Sequence, residues 1–306
     1  MAIISVVGRG GKTTIKTMIE NVLDDVEVYE GVANKDCDLI VMAGMARPFK
    51  KEVIHFPHAF KMIVNADVNY RLKVPYASEV VDYGFSRKAT VTASSVIQED
   101  WSQTFTCCIQ RSFNAINGSH VQPREFKVHI NVPGKYNIYN TLASITVLLL
   151  LDTKDEIISD TLSKLKFVGN MEKLYDGEFS VIYNKISNPY QLFSVLESLS
   201  ENEFNNLYII TDSFNCKSYG FIKKIADILR EWYQIYSYTI CMQNDNCTAY
   251  LKRLLQSYGI ECLSDECGEA IRGILNRIGK GDMVLLLGDN NVIKKPWADF
   301  FNIEKE

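Results

Sequence analysis

An α/β fold in two parts is the class this sequence predicts, and three observations carry the expectation. Ala2-Ile3-Ile4-Ser5-Val6-Val7 is an apolar run that ends in a glycine-rich turn and leads into an amphipathic segment, the pattern of a buried parallel strand feeding a helix. From Val80 to Val132, short alternating stretches are separated by turn-forming residues, which implies antiparallel strands added to the first sheet. Beyond residue 168, strand and helix patterns alternate regularly, which implies a second parallel sheet with helices on both faces.

The elements follow in order. After the glycine turn, Ile15, Met18, Ile19, Val22 and Leu23 share one helical face. Strands are expected at Asp38–Ala43 and Lys61–Asn65, and alternating segments at Thr90–Ala93, Thr104–Cys107 and Phe126–Ile130. Helices are expected from Tyr136 to Leu151 and from Lys154 to Leu165. Asp176-Gly177 signals a hairpin, followed by a strand at Phe179–Tyr183 that Asn188-Pro189 closes off. Further strands fit Leu207–Ile210, Ser237–Cys241 and Met283–Leu287, with helical patterns at Tyr219–Trp232, Thr248–Tyr258 and Glu266–Ile278. A chain of 306 residues exceeds what one core usually holds, so two domains are expected, 1–168 and 169–306.

Composition narrows the function. A net charge of -4 offers no broad attraction for nucleic acid, so no nucleic-acid partner is expected. The longest apolar run, Leu142 to Leu151, falls well short of the roughly 20 residues of a membrane span and reads as a buried helix. Met1-Ala2 runs directly into a strand, with no basic segment or signal core. The eight cysteines form no CxxC pair and read as reduced structural thiols, which fits a cytoplasmic location. His55 and His58 have no third metal ligand nearby in sequence and read as surface or packing residues.

Gly8-Arg9-Gly10-Gly11-Lys12-Thr13-Thr14 is the chemical anchor. Glycines let the backbone approach a polyphosphate and adopt positive φ, while the N–H groups and positive dipole end of the next helix hold its charge. Lys12 suits the β- and γ-phosphates, and the Thr13 hydroxyl suits Mg²⁺. ATP and Mg²⁺ are the cofactors this pattern implies, with Gly8, Gly10, Gly11, Lys12, Thr13 and Thr14 in contact. Val6 stands where the longer GxxxxGK[ST] form has glycine, so the motif is the shorter GxxGKTT.

That short form resembles the Mur ligases and the related folylpolyglutamate synthases. Other segments follow in the family's order. Asn65-Ala66-Asp67 is similar to its "NAD" strand end, and Asp82-Tyr83-Gly84-Phe85 to its "TYG" turn. Val132-Pro133-Gly134-Lys135-Tyr136-Asn137-Ile138-Tyr139-Asn140-Thr141-Leu142-Ala143 resembles "PGxHNxxNxLAA". Gly169-Asn170-Met171-Glu172 is similar to the "GRxE" link into a C-terminal domain. The resemblance implies a P-loop-type central domain with an antiparallel β extension over 1–168, then a Rossmann-like C-terminal α/β domain over 169–306. It further implies an ATP-dependent ligase that activates a carboxylate as an acyl-phosphate for attack by an amine, on a peptidoglycan-type precursor, with Asn137 and Asn140 at the adenine. Tyr136 in place of histidine, and Lys185-Ile186-Ser187-Asn188-Pro189, are closer to the branch of the MurT subunit of lipid II isoglutaminyl synthase. That branch takes ammonia from a glutamine amidotransferase partner.

The sequence also departs from the family. The strand Asp38–Ala43 runs into Gly44-Met45-Ala46-Arg47 with no carboxylate for a second magnesium. Asn170 replaces the linker arginine, Ser187 replaces a histidine, and the four-cysteine insertion of the MurT branch is missing. Asp212 is the acidic candidate for catalysis; a helix N-cap or surface turn is its alternative reading. Lys185 either faces phosphate or is solvated. These departures leave a second hypothesis, a degenerate relative that binds nucleotide and acts through a partner.

Overall fold

A computed structural model describes residues 1–8, 10–33, 35–44, 59–68, 77–99, 101–186, 188–200, 202–211, 218–233, 238–242, 246–263 and 273–288. Arg9, His55, His58, Ser187, Asp212 and the first part of the helix expected at 266–278 lie outside them. The chain divides into two compact units, Met1–Lys166 and Phe167–Glu306.

The first unit opens with β1 (Ala2–Gly8), α1 (Lys12–Val22), β2 (Val26–Glu30), β3 (Cys37–Ala43) and β4 (Ala59–Asn65). It continues through β5 (Ala77–Gly84), β6 (Val91–Glu99), β7 (Ser102–Ile109), β8 (Phe113–Asn114), β9 (His120–Val121) and β10 (Arg124–Ile130), then α2 (Lys135–Leu150) and α3 (Asp155–Lys164). The eight-stranded sheet has the order β10-β7-β6-β5-β4-β3-β1-β2. Strands β2, β1, β3, β4 and β5 pair in parallel, while β6, β7 and β10 pair antiparallel.

Two features differ from the expected pattern. Strand β2 was not anticipated, and the antiparallel part starts later than Val80, because β5 is parallel to β4 and β5 also meets β6 in parallel. A full parallel pair needs a crossover of a dozen or more residues. The β5–β6 overlap is limited to Tyr83↔Val91 and Gly84↔Thr92, so the short link 85–90 suffices.

Helix α1 buries Ile15, Met18 and Ile19, the i, i+3, i+4 face that packs on the sheet and on α2. Helix α2 is buried on all sides from Asn137 to Leu150. Its hydroxyls therefore turn inward on the helix: Thr141, Ser144 and Thr146 donate to the carbonyls of Asn137, Asn140 and Leu142 at 2.7, 2.9 and 2.7 Å. The launch of α2 is fixed by Gln103 of β7, whose buried Nε2 donates to Val132 O at 2.8 Å and Gly134 O at 3.1 Å.

Buried Lys61 of β4 is paired with Glu79 of β5 and donates to Asn114 O at 2.6 Å. Cys107 and Cys108 sit side by side on β7 as free thiols, and burial pushes both thiols up.

The second unit contains β11 (Glu172–Asp176), β12 (Ser180–Lys185), α4 (Pro189–Leu199), β13 (Leu207–Thr211), α5 (Tyr219–Tyr233), β14 (Tyr238–Met242), α6 (Asn246–Ser257), β15 (Cys262–Leu263) and β16 (Met283–Gly288). Its sheet order is β11-β12-β16-β13-β14-β15. Only the β11–β12 hairpin is antiparallel; the remaining neighbours run parallel. Val181, Tyr183, Tyr208, Ile210, Ile274, Val284 and Leu286 form a core on one face. Helix α4 was not anticipated as an element. It buries Leu192, Val195, Leu196 and Leu199, and Asn188 caps it by accepting from the N–H groups of Tyr190 and Gln191 at 3.0 and 3.1 Å. Among the described residues no helix is long and apolar enough to cross a membrane.

Candidate functional site

The glycine-rich turn sits where β1 hands over to α1. Gly8 has φ 150°, and a Cβ there would stand 2.1 Å from the backbone oxygen of Ala43 on β3. Only glycine fits so close to a neighbouring strand. Gly11 is the N-cap of α1 with φ 78°, and no side chain caps that helix. A Cβ on Gly11 would meet Asn140 Oδ1 at 2.0 Å, whereas one on Gly10 would meet nothing within 4 Å. The turn is therefore closed on the α2 side and open at Gly10.

Lys12 Nζ donates to Gly8 O at 3.0 Å, which folds the ammonium back over the turn. Thr13 Oγ1 donates to Glu30 Oε2 at 2.9 Å, and Thr14 is half-buried in the first helical turn. Glu30 was not among the expected site residues. It ends β2, and it lies 17 positions from Thr13 in sequence, so no local spacing connects the two. The usable signal was the short alternation of Val26 and Val28 after Asp24-Asp25, which marks a strand of limited length.

Asn140 and Asn137 are both buried. Asn137 Nδ2 donates to Pro133 O at 2.7 Å, and Asn140 Nδ2 approaches Asn137 Oδ1 at 3.5 Å. The structure thus places Asn140 against the turn and commits Asn137 to the start of α2.

The "NAD" and "TYG" segments converge beside them. Asp67 Oδ2 accepts from Phe85 N at 2.6 Å and from Tyr139 Oη at 2.8 Å. Asp67 N donates to Asn65 Oδ1 at 2.9 Å, and Asn65 Nδ2 donates to Gly44 O at 3.3 Å. Gly84 has φ 149°, and a Cβ there would come within 2.6 Å of Asp67 Oδ2. The Phe85 ring meets Tyr139 edge-on at 5.0 Å, with Lys135 Nζ 5.0 Å from the Phe85 centroid.

All of these residues lie at the carboxyl ends of the parallel strands or at the start of α2, the edge at which open α/β sheets receive ligands. In the second unit, Lys185 ends β12 with an exposed side chain, and its N–H donates to Gly169 O at 2.8 Å.

Comparison with known proteins finds likenesses of sequence and of fold. Residues 49–148 match the Mur ligase middle domain. The UDP-N-acetylmuramate–L-alanine ligase of Ralstonia nicotianae is 29% identical over 185 residues, covering 55% of this chain and 37% of the relative. Among solved structures, a pseudomurein peptide ligase type C from Methanothermus fervidus superposes with a TM-score of 0.71 at 17% identity, over 99% of this chain and 79% of that one. MurF ligase from Thermotoga maritima in complex with ADP gives 0.70 at 14% identity, over 98% and 79%.

The chain is similar to the Mur ligases in the matched segment and in its fold. It spans well under half the length of the curated relative, and the structural likenesses, at such identities, concern the fold.

Proposed function

We propose that this chain is an ATP-dependent ligase that joins a carboxylate to an amine or to ammonia, on a peptidoglycan-type precursor. The observation that carries the reading is the uncapped, glycine-lined start of α1 with Lys12 folded over it, in a chain whose curated relatives are named as muramate–alanine ligases. Residues 1–168 serve as the ATP-binding central domain and 169–306 as the C-terminal domain. The N–H groups from Gly10 to Thr14 receive phosphate oxygens, and the Lys12 ammonium exchanges Gly8 O for the β- and γ-phosphates. Asn140, with Asn137 behind it, borders the adenine side. Asp212 is the proposed acidic catalytic residue.

Mg²⁺ fits the donor set, because the Thr13 hydroxyl and its neighbours offer hard oxygen ligands. When bound, it supplies charge neutralisation at the β- and γ-phosphates. The γ-phosphoryl group passes to the acceptor carboxylate, giving an acyl-phosphate and ADP. The amine nitrogen then attacks the acyl carbon and phosphate departs, while the amine loses a proton. Tyr136 and the Lys185–Pro189 stretch support the MurT-like branch, and with it ammonia delivered by a glutamine amidotransferase partner.

One observation favours a second reading, in which nucleotide is bound without turnover: β3 ends at Met42-Ala43 and runs into Gly44 with no carboxylate. The deciding experiment pairs calorimetry of Mg²⁺-ATP with phosphate release in the presence of candidate acids and ammonia. Lys12→Ala is expected to weaken ATP binding roughly 100-fold, from loss of a charge-assisted contact, and to abolish turnover. Tight binding with no phosphate release on any acceptor selects the second reading. No association at millimolar ATP removes both.

A further inference from the structure

Thr13 and Glu30 approach the mouth of the glycine turn from different elements, one from α1 and one from β2. Both side chains are exposed, so a nucleotide seated in the turn has access to them. Glu30 is also held in place. The residue after it, Gly31, donates its N–H to Val6 O at 2.8 Å and accepts from Ser5 Oγ at 2.6 Å. Ser5 is fully buried and also accepts from Ala33 N at 3.3 Å. The exit of β2 is thereby pinned to β1 on its way to the turn, which sets the position of the carboxylate.

The chemistry of this pair is selective. In the absence of nucleotide, a carboxylate next to an uncapped helix start is stabilised by the helix dipole and by the Thr13 hydroxyl. A triphosphate in the turn brings several negative charges to the same place, and the two anions repel unless a cation lies between them. Oxygen ligands at adjacent corners of an octahedral Mg²⁺, with bonds of about 2.0–2.1 Å, stand about 2.9 Å apart. Thr13 Oγ1 and Glu30 Oε2 are 2.9 Å apart. The pair is already at the separation that a shared divalent ion requires.

We propose that Glu30 is the acidic protein ligand of the divalent cation that accompanies the nucleotide, entering from β2 because the end of β3 carries no carboxylate. The proposal rests on the nucleotide-binding reading above. It assigns the role to a side chain on the opposite flank of β1 from the end of β3.

The test measures ATP affinity by calorimetry in EDTA and again in Mg²⁺, for wild type, Glu30→Gln, Glu30→Asp and Lys12→Ala. Mn²⁺ binding to the ATP complex is followed in parallel by electron paramagnetic resonance. In wild type, Mg²⁺ is expected to tighten ATP binding at least ~10-fold. In Glu30→Gln that gain is expected to fall to ~3-fold or less, while metal-free ATP binds as tightly as to wild type or tighter, because a repelling charge is gone. Glu30→Asp is expected to fall between the two, and Mn²⁺ affinity is expected to drop in the same order.

An unchanged Mg²⁺ gain in both Glu30 variants, with ATP binding still weakened roughly 100-fold by Lys12→Ala, overturns the Glu30 assignment and leaves the nucleotide site standing. Equal weakening with and without metal also overturns it, since that is the mark of a merely structural contact. Absence of any ATP association in wild type removes the underlying reading.

Discussion

Helices α1 and α4 each follow the first of the parallel strands in their sheet, yet they begin in opposite ways. At α4, the Asn188 side chain accepts from two backbone N–H groups and Pro189 occupies the first turn, so the helix start is satisfied by its own sequence. At α1, the cap is Gly11, no side chain among the described residues makes a cap hydrogen bond, and Lys12 and Thr13 turn to Gly8 O and Glu30. The difference teaches where to look for a ligand in a protein with two similar sheets. A helix start that its own side chains complete has no need of an anion; one lined by glycine and left uncapped does.

Substitutions can break this contrast or sharpen it. The largest effect is expected at Gly8. Alanine there must push Cβ into the Ala43 carbonyl, costing about 3 kcal/mol in urea denaturation and eliminating ATP binding. An unchanged denaturation midpoint would contradict the described packing of β1 on β3.

Gly11→Ala comes next, at about 2 kcal/mol, because both its φ and the Asn140 side chain oppose a methyl group. Combining it with Asn140→Ala should recover about 1 kcal/mol in a double-mutant cycle. Strict additivity would show that the two residues do not share space.

Asn188→Ala should cost about 1 kcal/mol through loss of the α4 cap and leave ATP affinity as it is. A change in affinity would mean that the two helix starts differ less in role than in chemistry.

The smallest effect concerns acid stability at the far end of α2. The Ser119 hydroxyl and Asn117 amide hold the Asp152 carboxyl below the usual carboxylate range. A depressed folded-state value contributes stability that is present above the unfolded value and lost as pH falls through the folded one. Asp152→Asn should therefore flatten the acid limb of a stability–pH curve measured by urea denaturation, while an identical limb would argue against those contacts.

The contrast also explains what could be read from residue order. Strand β1, the glycine turn and α1 were legible because strand pattern, turn glycines and helical face lie within one local stretch. Helix α2 was legible because its apolar run is long. Strand β2 was not, since it is a short edge strand with Glu27 and Glu30 among its five residues, too brief for alternation to stand out.

Glu30 was hidden for a deeper reason. Its relation to Thr13 exists only after β2 pairs with β1 in the register Val6↔Glu30, and pairing register is not written in local spacing. The onset of the antiparallel region was misplaced on similar grounds. Both parallel and antiparallel strands favour the residues found at Val80-Val81, and the direction of a strand is set by its neighbours. The convergence of Asp67, Phe85 and Tyr139 likewise joins segments that motif order alone lines up without bringing into contact.

Gln103 gives the accessory strands an unexpected responsibility. Its amide spans two main-chain oxygens on either side of Pro133; without it Val132 O loses this donor in the interior, while Gly134 O keeps the Asn137 N–H at 2.9 Å, and the segment would relieve the loss by shifting. The direction in which α2 sets out, and with it the seat of Asn140 beneath the glycine turn, is thus governed from a ribbon that touches no proposed ligand. Variation in that ribbon offers evolution a means to shift the proposed nucleotide site without altering any residue of the glycine turn.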